Sequence, residues 1–391
     1  MINKWMLNGT DLTGGLLAFV QDLVRIKSYS GGEEQLARAI ASKMAALGYD
    51  EVKIDRCGNV LGRVGSGAKV ILFDSHTDTV KVNDEDLWDV PPFSGEIVDG
   101  WLWGRGSVDM KSGAAASIYA AALAKDLGLL SGKTVYVSCS VFEEDCDGEG
   151  LKHLLEESGI RPDYAVICEP SSNLITTGHK GKAQIIITTQ GVSAHGSAPE
   201  KGVNAIYEMA EIIQRVEQTN LELMKKEGRR GTLVLSQISS TAVSLNAVPS
   251  ACEIYIDRRM VVGETEETIR AEMERILAGK NAAWEIGTLH RTTWTGEALT
   301  YQPLHTAWEI SLQHPLAKAL IAAYADVFGQ APEKYDYWDF STNAVALVQK
   351  GIPVIGFGPG EHKLAHMRNE KCETSQIVDA CAFYTSVINR L

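Results

Sequence analysis

Val70-Ile71-Leu72-Phe73-Asp74-Ser75-His76-Thr77-Asp78-Thr79-Val80 is the stretch from which the fold is read. Val70 to Phe73 form a short apolar run suited to a buried strand. The polar residues after it stand where open α/β sheets place their ligand sites, beyond the carboxyl ends of the strands. Thr134 to Val141 and Tyr164 to Cys168 read as two more strands, each leading into acidic residues. Between the first two, Ser112 to Leu127 is alanine-rich and helix-competent. Upstream, Leu36, Ile40, Met44 and Leu47 recur at helical intervals over Glu33 to Leu47, with Gly48 as the stop. The expectation is an α/β domain in which helices cover a sheet.

The pattern changes after Gly178. Gln184 to Thr189 reads as a strand, Gly202 to Val216 as a helix, Leu233 to Ile238 and Cys252 to Ile256 as strands, Glu264 to Leu277 as a helix, and Ala283 to Leu289 as a last strand. The order βαββαβ predicts a small sheet with helices on one face, the ferredoxin-like arrangement. Helical runs at Leu316 to Phe328 and Ser341 to Gln349, then a strand at Val354 to Phe357, resume the α/β rhythm. The chain therefore divides into an α/β domain made of residues 1–178 and 299–391, and an inserted block at 179–298 free to move as a lid.

With 391 residues, 45% of them hydrophobic, the chain can enclose more than one core. Its 37 basic and 50 acidic residues give a net charge of -13, which argues against a general nucleic-acid binder. No signal-peptide pattern or membrane-length apolar run is evident, so a cytoplasmic location without a membrane partner is expected. The seven cysteines are dispersed, lack a close CxxC pair and are odd in number, which does not suggest a disulfide scaffold.

Several polar motifs sit at strand or helix ends. His76 can present an imidazole nitrogen to a divalent cation while Asp78 accepts from the other ring nitrogen; alone, the pair reads more readily as an ordinary polar turn. Asp109 precedes the Ser112 helix, where its two oxygens could bridge metals or cap the helix. Glu143 and Glu144 leave a strand side by side, so one can hold a metal while the other receives a proton; an exposed acidic turn is the plainer reading. Glu169 follows Cys168 at another strand-to-loop junction, and His362 and His366 lie in a glycine-containing loop. Together, His76, Asp109, Glu144, Glu169 and one late histidine form a set of nitrogen and oxygen ligands for two divalent ions.

At this point the chain resembles the M20 metallopeptidase family, which includes acetylornithine deacetylase, succinyl-diaminopimelate desuccinylase and aminoacylases. The resemblance is carried by SHTDTV at 75–80, GRGSVDMKSG at 104–113, FEED at 142–145, CEP at 168–170 and AHMRNE at 365–370. The local pattern is also similar to a branch described as selenium-metabolism-linked hydrolases. The resemblance implies one metal centre of His76, Asp109 and Glu169 and another of Asp109, Glu144 and His366, with Asp109 bridging. It favours His366 over His362, makes Glu143 the general acid/base and Asp78 the partner of His76. The implied ions are zinc first, then cobalt or manganese.

In the inserted block, Gly191-Val192-Ser193-Ala194-His195-Gly196 forms a shaped loop, and His195 could donate to an oxyanion on closure. The resemblance implies that His195 enters a neighbouring subunit's site in a lid-mediated homodimer. Asn246 and Arg259 are candidates for substrate binding, an amide for directional bonds and a guanidinium for a carboxylate; Arg259 fits the family's position better than Arg258. The expected function is hydrolysis of an amide bond in an N-acyl amino acid or small peptide. A cyclic-amide or carbamoyl amidohydrolase, and a noncatalytic metal-bound interaction module, are the alternatives.

Overall fold

The His76 strand runs Lys69–His76 through the middle of a nine-stranded mixed sheet. The structure, a computed structural model, describes residues 6–7, 10–242 and 244–391. Parallel neighbours flank the strand, Lys133–Ser140 on one side and Tyr164–Ile167 on the other, and Val354–Gly356 extends the parallel set beyond Tyr164–Ile167. Val60–Gly65 and then Glu51–Ile54 continue antiparallel beyond Lys133–Ser140. Thr176–His179 lies at the other end, next to Val354–Gly356, and pairs with Trp308–Glu309 and Asp336–Trp338.

Side chains alternate across a strand, so the central strand is apolar on both faces and needs a cover on each. Ile71 and Phe73 join a core with the helices Leu12–Arg25, Ser112–Asp126, Pro315–Phe328 and Thr374–Arg390. Leu72 faces the opposite core, built from Glu149–Ser158 and Ala344–Val348. Ser112–Asp126 is buried nearly all round, and its alanines let Thr374–Arg390 approach closely. Gly113 is required at its start, because a Cβ there would stand 2.2 Å from the Cys168 carbonyl oxygen. That contact brings the helix start against the strand end that leads to Glu169.

The expected βαββαβ order is present. Gly181–Gln190, helix Ala205–Met224, Thr232–Ser240, Ala251–Met260, helix Glu266–Leu277 and Ala282–Ile286 follow one another, and the antiparallel sheet they form gains Leu304–His305 as a fifth strand. Ile185, Ile187, Ile254 and Ile256 bury one sheet face against Met209, Ile212, Ile269 and Met273 of the two helices. Ala205–Met224 runs eight residues past the Val216 at which the sequence reading stopped, because Thr219 and Leu223 keep the buried stripe going through a polar stretch. Leu289–Thr292 and Ala298–Tyr301 form a hairpin whose Leu299 and Tyr301 pack on Val141 and Phe142 of the larger sheet's loops. Among the described residues no helix is long and apolar enough to cross a membrane.

Candidate metal centre

Three neighbouring parallel strands end at one place. His76 closes its own strand, Lys133–Ser140 runs on into Phe142-Glu143-Glu144, and Tyr164–Ile167 runs on into Glu169. Phe142 takes a left-handed backbone conformation, φ 59°, which is uncommon for a bulky residue. The turn breaks the strand's alternation, so both following carboxylates can face the site. Asp109 arrives from the loop before Ser112–Asp126, and His366 from the C-terminal loop.

The carboxylate of Asp109 stands between the two imidazoles. Its Oδ1 lies 2.8 Å from His76 Nε2 and its Oδ2 3.1 Å from His366 Nε2. Glu169 Oε1 is 3.6 Å from His76 Nε2, and Glu144 Oε2 is 2.9 Å from His366 Nε2. Ligand atoms of His76, Glu143 and Glu169 fall within 4.8 Å of one another, and so do those of His76, Asp109 and Glu144. The chain thus holds two overlapping donor groups that suit divalent cations.

Asp78 differs in detail from the reading that its carboxylate orients His76. The Asp78 backbone carbonyl oxygen is the atom at hydrogen-bond distance from His76 Nδ1, 2.9 Å, while the carboxylate is 3.5 Å away. That carboxylate instead accepts from the backbone amides of Glu143, 3.0 Å, and Glu144, 3.1 Å, and from Ser30 Oγ, 2.7 Å. The turn carrying Glu143 and Glu144 exposes amides that need an acceptor, and they occupy it.

Burial first, and then neighbouring negative charge, governs the acids. Burial and Asp109 push Glu144 up to about 7, and burial with the neighbouring Glu169 or Asp109 charge raises Glu143 and Glu169 well above the usual carboxylate range. Burial opposes a charged His76, yet Glu169, Asp109 and Asp78 hold its imidazole well above the usual value. Asp109 and Glu144 raise His366 to about 10. Burial would raise Asp109 too, but His366 and His76 outweigh it and bring Asp109 below the ordinary range. Four crowded carboxyl groups short of positive charge are the arrangement that bound cations relieve.

A cavity of about 250 Å³ opens over this cage and is also lined by Lys182, Arg259, Phe340, Ser341 and His362. A larger one, about 400 Å³, lies between Lys53, Arg63, Tyr136 and Leu154 and contains none of the cage residues. Size is not the guide here, because the smaller cavity has the convergent polar groups. Arg259 reaches it, whereas Arg258 is buried against Glu264 and Glu272. His195 and Asn246 do not line it. They sit together in the inserted block, where Ala194–His195 pairs with Ala247–Val248, and His195 Nδ1 lies 2.7 Å from Ser197 Oγ.

Apart from Asp78, the residues that support the cage are not singled out by the sequence. Glu370, fully buried, accepts from Arg105 Nη1 at 2.5 Å, Val108 N at 2.9 Å and Asp109 N at 3.1 Å, and Arg105 also donates to the His366 carbonyl at 3.3 Å. Its place in AHMRNE was the available signal. Asp147 and Ser341 were missed as well, and neither carries a local pattern.

The model of peptidase family M20/M25/M40 matches residues 72–390. The Escherichia coli K12 protein YgeY is 39% identical over 381 residues, covering 96% of this chain and 94% of that one. A succinyl-diaminopimelate desuccinylase of Cereibacter sphaeroides is 26% identical over 384 residues, 95% of this chain and 97% of its own. Among solved structures, aminopeptidase PepT from Bacillus cereus superposes with a TM-score of 0.73 at 20% identity, covering 97% of this chain and 98% of that chain.

Proposed function

The chain belongs to peptidase family M20/M25/M40, and from that membership we propose that it hydrolyses the amide bond of an N-acyl amino acid or small peptide. The observation that carries the reading is the pair of donor groups that share His76, one with Glu143 and Glu169 and one with Asp109 and Glu144, with the Asp109 carboxylate between the His76 and His366 imidazoles. The donor chemistry fits two divalent cations: His76, Asp109 and Glu169 would hold one, and Asp109, Glu144 and His366 the other. Mixed imidazole and carboxylate ligands suit zinc, with cobalt or manganese as alternatives. When bound, such ions supply an acidified water and a Lewis acid for the scissile carbonyl.

The chain's own groups do the rest. Glu143, oriented through its amide by Asp78, takes the proton of the attacking water and returns it to the departing nitrogen. Arg259 binds the substrate carboxylate at the lid side of the cavity. His195 and Asn246, outside their own chain's cavity, act on the site of a second copy in a lid-mediated homodimer. Exposed Val234 and Ile238 on the lid's edge strand offer that dimer apolar surface. Seven thiols, all free and buried, support a reducing, cytoplasmic location.

A panel of N-acyl amino acids and dipeptides, assayed by release of free amino acid from metal-reconstituted protein, tests the reading. Turnover that disappears on chelation and returns with metal supports it. Glu143→Gln is expected to keep its metal and lose roughly 10²- to 10⁴-fold in kcat.

A further inference from the structure

Lys182 and Arg259 are direct cross-strand partners in the antiparallel pair Gly181–Gln190 and Ala251–Met260, and both line the cavity above the cage. Like charges placed directly opposite each other are unfavourable in a sheet. Each cation has one carboxylate. Lys182 Nζ donates to the two oxygens of Asp147 at 3.1 and 3.2 Å, and Arg259 uses Nε and Nη2 on Asp257 at 2.8 and 3.1 Å. Asp147 Oδ2 also accepts from Ser341 Oγ.

The donor inventory shows which partner is incomplete. An ammonium group has three N–H donors and a guanidinium five. Two contacts on each leave a Lys182 N–H and Arg259 Nη1 without a protein acceptor among the described residues, whereas Asp147 already takes three contacts. Asp147 holds the 7%-exposed Lys182 ammonium in place, so the donors left open on this wall belong to cations. A substrate ammonium would meet two cations there. A second carboxylate would find a donor.

We propose that the substrate's amino-acid part is a dicarboxylate of the aspartate or glutamate type, with Arg259 binding the α-carboxylate and Lys182 the side-chain carboxylate. The proposal rests on the amide-hydrolase reading and narrows it to acidic substrates. A cavity of about 250 Å³ leaves room for a small acyl group besides such an amino acid.

The experiment compares kcat/KM of the metal-loaded protein for N-acetyl-glutamate and N-acetyl-glutamine, and for the aspartate and asparagine pair. The expected preference for the acid is at least about tenfold, since a carboxamide accepts through its one oxygen but gives up the charge-assisted bond and turns an NH2 donor toward the two cations. Lys182→Met brings the ratio close to one, chiefly through KM for the acid, and Lys182→Arg restores part of it. Calorimetric binding of free glutamate against glutamine to the unmutated protein gives a second readout that needs neither a variant nor turnover. Equal use of acid and amide substrates by an active protein overturns this inference and leaves the hydrolase reading intact. No turnover of any amide, with glutamate still bound about tenfold tighter than glutamine, defeats the hydrolase reading and keeps the acidic subsite.

Discussion

Glu370→Gln separates a residue that holds the cage from one that merely fills space. The native carboxylate faces donors on both sides, the Arg105 guanidinium on Oε2 and the backbone amides of Val108 and Asp109 on Oε1. A carboxamide has one acceptor oxygen, so whichever way it turns, its NH2 meets another donor. Arg105 is 4% exposed and would be left facing a neutral partner. Removing one member of a buried charged pair costs about 3–5 kcal/mol, and losing a bond to a charged group about 1.5–3 kcal/mol. Because these costs overlap, a loss of about 3–5 kcal/mol in stability is expected. The same residue fixes the amide of Asp109 and, through Arg105, the carbonyl of His366. Groups that orient ligands in this way typically contribute 10- to 100-fold in metal affinity. Chelator competition, run below the melting transition of both proteins, reads that affinity. An affinity within about twofold of the unmutated protein would refute the argument that Glu370 positions both Asp109 and His366.

Two other outcomes are expected, the first from the proposed homodimer and the second from a buried acid. Mixing Glu143→Gln protein with His195→Ala protein under conditions of subunit exchange should restore activity that neither has alone, because one site of the mixed dimer has both groups intact; the absence of any gain removes His195 from the partner's site. Glu33 is buried beneath the Phe142 turn, its Oε2 lacks a partner among the described residues, and burial with Asp78 pushes it up to about 8. An acid raised in the folded state from 4.5 contributes stability that is full below 4.5 and is lost as pH rises through about 8. Melting of metal-free protein should therefore fall across that window, and Glu33→Gln should remove that part of the fall; parallel curves for the two proteins would contradict it.

The groups legible in the sequence are those whose position depends on local chain geometry. His76, Glu143, Glu144 and Glu169 follow apolar runs that could be read as strands, and strand ends in an α/β sheet converge. The βαββαβ order was legible for the same reason, since its period changes at each element. Long-range register was not. That Lys182 opposes Arg259 depends on pairing across a separation of 77 positions, 259 minus 182, which no periodicity encodes. The triple role of Glu370 joins it to residues 261 to 265 positions earlier. Asp78 was recognised as a support of the site, but which atoms its carboxylate serves depended on the Phe142 turn, and a left-handed phenylalanine has no sequence signature. The last helix, Thr374–Arg390, was not identified because both its faces are apolar where it lies between Ser112–Asp126 and Pro315–Phe328.

The central claim, a two-cation amide hydrolase, is met most directly by titrating chelator-stripped protein with zinc while metal stoichiometry and amide turnover are measured on the same samples. The account predicts about two ions bound per chain, with turnover rising as they bind. Saturation at one ion or fewer, or full occupancy with no turnover across the N-acyl amino acid and dipeptide panel, would contradict it.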